Sequence, residues 1–289
     1  MSESIEDKKR KQINDNDHDM DASSSDSDSD GEDQIVNVDF DYFDPTEIDF
    51  HAIKNLLRQL FDADSVLFDL SALADLVINQ SGVGTTIKTD GKESDPFALL
   101  TVVDMKPSTP SPALKTLVDY FIQKTQDNAA YNRKLRQIFA PSSTSKVGLI
   151  LSERLINMPT EVVPPMYDML YRESAAAGLK FDHFIILSKV FTEQESLIDR
   201  EDNPRQAKRT KPAANASPEI YYFHQEDELI KSKFAEFSKS FSYSREAQNA
   251  DSKRAFQEAG IWPLGHLMLI EGSKMEDLVA DLGEKFPPF

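Results

Sequence analysis

Apolar and polar residues follow two different periods along the chain after residue 34, and the changes of period predict alternating strands and helices. Alternation from Ile35 to Tyr42 predicts a first strand. Asp44 as a cap, Pro45 at the first helical position and Glu47 in a capping-box position predict the start of a helix. The apolar stripe of that helix comprises Ile53, Leu56, Leu57, Leu60 and Phe61.

The next segment predicts a second helix and then a hairpin. Ser71 is the expected cap of the helix, whose apolar face comprises Leu70, Leu73, Ala74 and Val77. Residues 83–89 and 97–105 are the expected arms of the hairpin, joined by a turn at Asp90 and Gly91. Because residues 97–103 are almost all apolar, both faces of this second arm should be covered.

The remaining pattern continues the alternation to the end of the chain. Helices are expected around residues 114–122, 131–139, 164–177, 227–237 and 275–282, and strands at 147–151, 184–191, 220–223 and 267–270. Residues 199–218, with three prolines and scattered charge, predict an exposed loop. We therefore predict one α/β domain over residues 35–289, with a mixed sheet flanked by helices.

Composition adds a polar tail and a strong negative charge. Residues 1–34 hold 12 acidic and 4 basic residues and almost no apolar ones, so we predict a disordered acidic tail. The whole chain carries a net charge of −18, which leaves −10 for the predicted domain. Such a field repels nucleic acids and anionic membranes and attracts basic proteins, although it could serve solubility alone. Without a signal-like start or a run of about 20 apolar residues, we expect a soluble intracellular protein.

The sequence lacks the common catalytic motifs. The chain has no cysteine, which excludes disulfides and thiolate metal sites. The glycines of residues 82–91 lack the spacing of a phosphate-binding loop, and the five histidines lack a metal-binding spacing. There is no Gly-x-Ser-x-Gly nucleophile motif. We therefore predict a protein that is not an enzyme and that needs no metal or cofactor.

Three sets of residues remain as candidates for binding or regulation. Ser152, Glu153 and Arg154 follow a predicted strand, where α/β proteins place functional groups, although Arg154 could simply pair with a nearby acid. The candidate partner-binding residues are Glu153, Arg154, Asn157, Asp26, Asp28 and Asp30. The basic run Lys8, Lys9, Arg10 and Lys11 is a candidate nuclear-import signal. Ser23, Ser25, Ser27 and Ser29 each precede an acid by three residues, so they are candidate phosphorylation sites.

Several blocks of the sequence, in order, also resemble the BCCIP family, which includes fungal nuclear-export proteins. The blocks are QIVNVDFDYFDP at 34–45, VGTTIKTDG at 83–91, DPFALLTV at 95–102, VGLILSERLINMP at 147–159, PPMY at 164–167, FSY at 241–243 and WP at 262–263. The resemblance implies the fold of the GCN5-related N-acetyltransferases. Those enzymes bind the cofactor pyrophosphate with a glycine-rich loop, whose expected position here lies between Leu151 and Pro165. This segment has no glycine, and Pro164 and Pro165 lack amide donors, so we expect no acetyl-CoA site.

The resemblance further implies a nuclear protein that shuttles to the cytoplasm and escorts a basic large-subunit ribosomal protein during ribosome assembly. It also implies contacts with nuclear transport receptors and, in fungal members, with a phosphoinositide kinase. We expect a monomer that binds neither nucleic acid nor membrane. The alternative is a divergent acyltransferase that has kept a cofactor pocket.

Overall fold

Eight strands form one sheet in the computed structural model, which describes residues 39–80, 82–193, 219–245 and 260–287. The strands are β1 (Asp41–Phe43), β2 (Thr85–Lys88), β3 (Ala98–Asp104), β4 (Val147–Arg154), β5 (His183–Glu193), β6 (Ile220–Tyr222), β7 (Ala235–Phe241) and β8 (Ile261–Glu271). Their order across the sheet is β1-β2-β3-β4-β5-β8-β7, with β6 beside β5. The β4–β5 pair is parallel and the other pairs are antiparallel, so the sheet is mixed and mostly antiparallel.

Helices cover both faces of this sheet. They are α1 (Phe50–Phe61), α2 (Leu70–Asn79), α3 (Pro112–Lys124), α4 (Ala129–Ile138), α5 (Val163–Ala176), α6 (Gln225–Leu229) and α7 (Met275–Lys285). The first four pack into one apolar core, whereas α5 and α7 pack into a second core on the other face. Within β5, Ile185 and Leu187 enter the first core, and Phe184 and Ile186 enter the second. The prediction of an α/β fold with a mixed, helix-flanked sheet is confirmed.

The chain divides into two units, Met1–Asn37 and Val38–Phe289, and the described residues belong to the second. The predicted acidic tail at 1–34 and the predicted loop at 199–218 lie outside the described residues. The extent of the single predicted domain therefore stays a prediction. In the described part of the chain, no helix combines the length and the apolar character that crossing a bilayer requires.

The first two helices have the predicted apolar faces but different starts. All five stripe residues of α1 are buried, as are the four apolar residues predicted for α2. The capping box, however, joins Thr46 to Asp49 and opens a short 3-10 turn before α1, rather than joining Asp44 to Glu47. At α2 the cap is Asp69, whose carboxylate accepts from the amide of Ala72, and not Ser71. Both corrections have one cause, since any Ser, Thr or Asp near a helix start can accept this bond.

The predicted helix at 227–237 is wrong over its last three residues, which belong to a strand. The chain forms α6, then a π-helical turn over Ile230–Phe234, and then the strand β7 from Ala235. Ile230 and Phe234 are buried four positions apart, which produces a helical pattern. β7 exists because it pairs with β8, where the ring of Phe241 lies over Gly265 and fills the space that a side chain there would need. This pairing joins distant segments and is invisible to local periodicity.

Candidate functional site

The parallel strands β4 and β5 separate halfway along their length. They pair from Val147 opposite His183 to Leu151 opposite Leu187. Beyond that point β4 stays paired with β3 as far as Arg154, whereas β5 stays paired with β8 and gains β6 on its other edge. The two strands therefore enclose a wedge-shaped opening, which we call the wedge.

Charged side chains from three parts of the chain fill the wedge. They come from the end of β4, from the middle of β5, and from α6 with the residue before it. We name this set the wedge cluster; its members are Glu153, Arg154, Ser188, Lys189, His224, Glu226 and Asp227. Each of them is buried, with at most 8% of its surface exposed. Buried charges are costly unless they are paired, so their contacts decide the stability of this region.

On the side of the sheet that faces α5, Arg154 binds Glu226. Both terminal guanidinium nitrogens contact the carboxylate, and Nη2 lies 2.9 Å from Oε2. Burial alone would lower the pKa of Arg154, but Glu226 raises it above its usual value, so the guanidinium stays charged. Arg154 thus pairs with an acid, one of the two roles that its place in the sequence leaves open. Beside the pair, the hydroxyl of Ser188 donates to Asp227.

On the side that faces α1, Glu153 is the centre of the contacts. Its Oε1 accepts from Gln59 Nε2 at 3.0 Å and lies 3.4 Å from His224 Nε2, while its Oε2 lies 2.8 Å from Lys189 Nζ. Lys189 also donates to the carbonyl of Gln59 at 3.0 Å. Burial would raise the pKa of Glu153, but His224 and Lys189 lower it below its usual value. Glu153 is therefore an ionised carboxylate inside the protein.

The cluster needs one proton to balance its charges. Three carboxylates, Glu153, Glu226 and Asp227, face only two permanent cations, Arg154 and Lys189. Burial, with Glu226 adjacent, raises the pKa of Asp227 to about 7. Burial lowers the pKa of His224, but the contact with Glu153 outweighs it and raises the pKa above normal. His224 Nδ1 lies 3.9 Å from Asp227 Oδ2, and this neighbouring imidazole works against the rise in the pKa of Asp227.

A groove opens over the cluster, with a cavity volume of about 910 Å³. Its lining includes the end of α1 with the turn that carries Val66, and the loop at 155–161 that carries Ile156. Glu153, Lys189 and His224 contribute to its lining. Val66 is 68% exposed and Ile156 is 88% exposed, although both are apolar. The groove thus combines a mixed polar and apolar lining with a charged, buried floor.

Two of the predicted binding residues lie at this groove and one lies beside it. Glu153 and Arg154 line the cavity, and Asn157 is exposed in the loop next to Ile156. Their role in binding a partner stays a prediction. The other predicted site residues, in the serine, aspartate and lysine runs of the tail, lie outside the described residues.

Sequence reasoning missed the other members of the cluster. In the sequence, His224 is one of five histidines without a metal-binding spacing, Asp227 is the first residue of a predicted helix, and Glu226 carries no prediction. The available signal was Lys189, a charge inside the apolar run 184–191, because a buried lysine needs a carboxylate partner. Among the described residues no group of three side chains could hold a metal ion. The arrangement as it stands can hold charge and one labile proton.

Comparisons with known proteins agree on one family. Residues 35–230 match the family model BCCIP. The protein named BCP1 from Yarrowia lipolytica is 51% identical over 256 residues, which cover 88% of this chain and 83% of that protein. The protein named bcp1 from Schizosaccharomyces pombe is 40% identical, covering 86% of this chain and 90% of its own. The crystal structure of BCP1 from Saccharomyces cerevisiae is similar with a TM-score of 0.58 and 31% identity, covering 90% and 93% of the two chains.

Proposed function

The chain belongs to the BCCIP family, and from that premise we propose that it is a nuclear chaperone and export adaptor that escorts a basic large-subunit ribosomal protein. In this proposal the acidic surface covers the lysines and arginines of the client until ribosomal RNA takes its place. The run from Lys8 to Lys11 would serve nuclear import, and transport receptors would carry the protein to the cytoplasm.

The observation that carries the proposal is the acidity of the folded body. The described residues include 31 acidic and 21 basic side chains, a net charge of −10 without any contribution from the tail. Seven exposed carboxylates lie on β1, on the segments just before and after it, and on the loop between β2 and β3: Asp39, Asp41, Asp44, Glu47, Asp90, Glu93 and Asp95. Lys88 cannot offset them at the surface, because it is buried against Asp49 at 2.6 Å. A field of one sign attracts and orients a basic partner.

The wedge supports the proposal that the protein is not an enzyme. We propose that the fold is related to that of the GCN5-related N-acetyltransferases and that a cofactor cannot lie between β4 and β5, because α6 and the wedge cluster fill that space. At the start of α5, Pro164 and Pro165 stand where a pyrophosphate would need amide donors. We therefore favour a binding protein over a divergent acyltransferase.

Binding of purified large-subunit ribosomal proteins, tested one at a time against the full chain, tests the proposal. We expect at least one tight complex whose affinity falls as salt is raised, because salt screens the charges that hold it. Reversing Asp41, Glu93 and Asp95 to lysine should weaken the complex. Reversing Glu276, Asp277 and Glu284 on or near the end of α7 changes the net charge equally and serves as the matched control. If no ribosomal protein binds, or if both triple variants behave alike, the proposed surface is wrong.

The groove also allows a test of the alternative function, a divergent acyltransferase. A cavity of about 910 Å³ is large enough for a small ligand. Calorimetric titration with acetyl-CoA should give no binding heat if the protein is only a binding protein. A clear micromolar affinity would overturn our interpretation of the wedge and of the proline-rich start of α5.

A further inference from the structure

The last part of β5, the whole of β6 and the first part of β8 form a three-stranded end of the sheet, beyond the point at which β4 leaves β5. Large apolar and aromatic side chains of this end belong to neither of the two apolar cores, and each is partly exposed. They include Phe191, Tyr221, Tyr222, Phe223, Ile261 and Trp262. Aromatic side chains gathered at a surface are typical of protein-binding sites.

One face of this end carries a continuous set of such side chains, which we call the strand-end face: Phe191, Tyr221, Phe223, Ile261 and Pro263. Residues that lie opposite each other in a sheet share a face, and Phe191 lies opposite both Tyr221 and Pro263. The ring of Phe191 is stacked on that of Tyr221 with 5.3 Å between centroids, and it lies 5.0 Å from the ring of Phe223. Ile261 is two positions from Pro263 on the same strand, so it lies on the same side.

The strand-end face continues into the groove over the wedge cluster. Phe223, Ile261 and Pro263 line the cavity of about 910 Å³, and its lining also includes Val66 and Ile156, which are strongly exposed. A concave surface with aromatic and aliphatic lining suits a ligand that buries an apolar group.

The charged side chains of the wedge cluster that line the groove are already paired inside the protein. Glu153 contacts Lys189 and His224, and Arg154 contacts Glu226. Because each of these charges has an opposite charge beside it, the floor requires no charge on the ligand. The apolar part of the lining therefore decides what the groove accepts.

Acidic groups predominate around the strand-end face. Glu193 and Glu219 are exposed, and each is two positions from an aromatic residue of the face. The Tyr221 hydroxyl donates to Glu219 at 3.1 Å, and this bond, with the nearby charge of Glu193, raises the pKa of Tyr221. The other charged lining groups of the groove are one cation, Arg58, and two acids, Asp62 and Glu161. A ligand with positive charge beside its apolar group is therefore favoured.

From these features we propose that the strand-end face and the groove hold a large apolar or aromatic side chain from a basic protein partner. The basic residues of the partner that flank this side chain face Glu193 and Glu219. Nucleic-acid bases also stack on aromatic side chains, but their phosphates would be repelled by the same two carboxylates. This inference rests on the proposed function for the charge of the partner, and it adds an apolar anchor to that function.

Two synthetic peptides of equal charge test the anchor, with the methyl NMR signals of Ile156 and Ile261 in the full chain as the readout. The peptides are acetyl-KGFKGFKGK-amide and acetyl-KGSKGSKGK-amide. We expect saturable shifts of both signals with the phenylalanine peptide and about tenfold weaker binding of the serine peptide, which has no apolar group to bury. The acidic peptide acetyl-EGFEGFEGE-amide should also bind more weakly, because Glu193 and Glu219 repel it.

Four outcomes would overturn the proposal. Equal affinities of the two lysine peptides would mean that charge alone is recognised, and equal binding of the acidic peptide would mean that the partner is not basic. Methyl signals that shift with protein concentration alone would mean that a second copy of the chain occupies the face. No shift with any peptide would mean that the face is closed within the chain.

Two adjacent tyrosines provide a variant and its matched control. Tyr221 lies on the strand-end face, whereas Tyr222 lies on the opposite face, where it contacts His266 and Lys231. Tyr221→Ser should weaken the phenylalanine peptide about fivefold, and Tyr222→Ser should leave its affinity unchanged. If Tyr221→Ser does not fold, Ile156→Ser decides, since this exposed side chain lines the groove. Full affinity in the variant that decides contradicts the proposal.

The same variants distinguish this inference from the proposed function. If a ribosomal protein binds the wild-type chain and Tyr221→Ser and Ile156→Ser equally well, the chaperone proposal stands and the strand-end face is not its contact. If the phenylalanine peptide binds as expected but no ribosomal protein does, the anchor site stands and the proposed client is wrong.

Discussion

The parallel pair of β4 and β5 consists of two halves that are stabilised in opposite ways. In the first half, Leu149 and Leu151 of β4 and Ile185 and Leu187 of β5 are buried in an apolar core. In the second half the same strands carry Glu153, Arg154 and Lys189, and their backbones are no longer paired with each other. The change from apolar to charged residues coincides with the point at which the strands separate.

This difference shows how a sheet can open inside a folded domain without leaving a hole. Where two strands pair, apolar side chains from both sides close the core. Where they separate, their facing backbone groups no longer bond to each other and a space opens between the strands. Side chains of α6 occupy that space and form ion pairs. Such pairs hold a geometry without adding much net stability, because desolvation offsets much of their attraction. The wedge is therefore the part of the sheet where charge can be rearranged.

The largest effect should come from breaking a buried ion pair in the second half. We expect Arg154→Met to lower the free energy of unfolding by about 3–5 kcal/mol, because Glu226 is left buried without its cation. Denaturation in urea measures the change. The double variant Arg154→Met with Glu226→Met should recover most of the loss, since neither charge remains. A double variant as unstable as the single one would show that the pair does not act as a unit.

A slightly smaller effect should follow from truncating a side chain in the first half. We expect Leu149→Ala to lower the free energy of unfolding by about 3 kcal/mol, because it leaves a cavity in a fully buried core. The same urea experiment applies, and Val66→Ala at the exposed wall should change it by less than about 0.5 kcal/mol. A loss under about 1 kcal/mol for Leu149→Ala would mean that this half is not a tightly packed core.

The smallest effect is a dependence on pH that arises from the charged groups beside the second half. The pKa of Asp227 is raised to about 7, so its stabilising contribution is present at low pH and is lost as the pH rises through 7. The raised pKa of His224 acts in the same direction. We expect the free energy of unfolding to fall by about 1.4 kcal/mol between pH 6 and pH 8 for one such group. Asp227→Asn should remove the part of this fall that Asp227 contributes and leave a smaller fall from His224, whereas Leu149→Ala should retain both. An unchanged slope in Asp227→Asn would contradict the assignment.

Local patterns in the sequence predicted much of the fold because each depends on one element at a time. The apolar stripe of α1 repeats every three or four residues, and the apolar run of β3 shows that both of its faces are covered. Neither prediction requires knowledge of what packs against the element. The acidity of the chain and the resemblance of its sequence blocks to one family likewise need no coordinates.

The wedge could not be predicted in this way, because it depends on which segments meet. Arg154 and Glu226 are separated by 72 positions, and no periodicity connects them. Their meeting depends on the separation of β4 from β5, which in turn depends on β5 taking β8 and β6 as neighbours. The strand β7 escaped prediction for the same reason, since only its pairing with β8 makes it a strand.

The sequence by itself determined the periodic elements, the two covered faces of the sheet and the negative charge, since each is a property of neighbouring residues or of a sum. Only the tertiary structure decided that Glu153 and Arg154 lie in a buried cluster under a groove and that Val66 and Ile156 both line that groove. The physical reason is that a buried charge is stabilised by whichever opposite charge the fold brings within about 3 Å, and the chain order does not specify that partner.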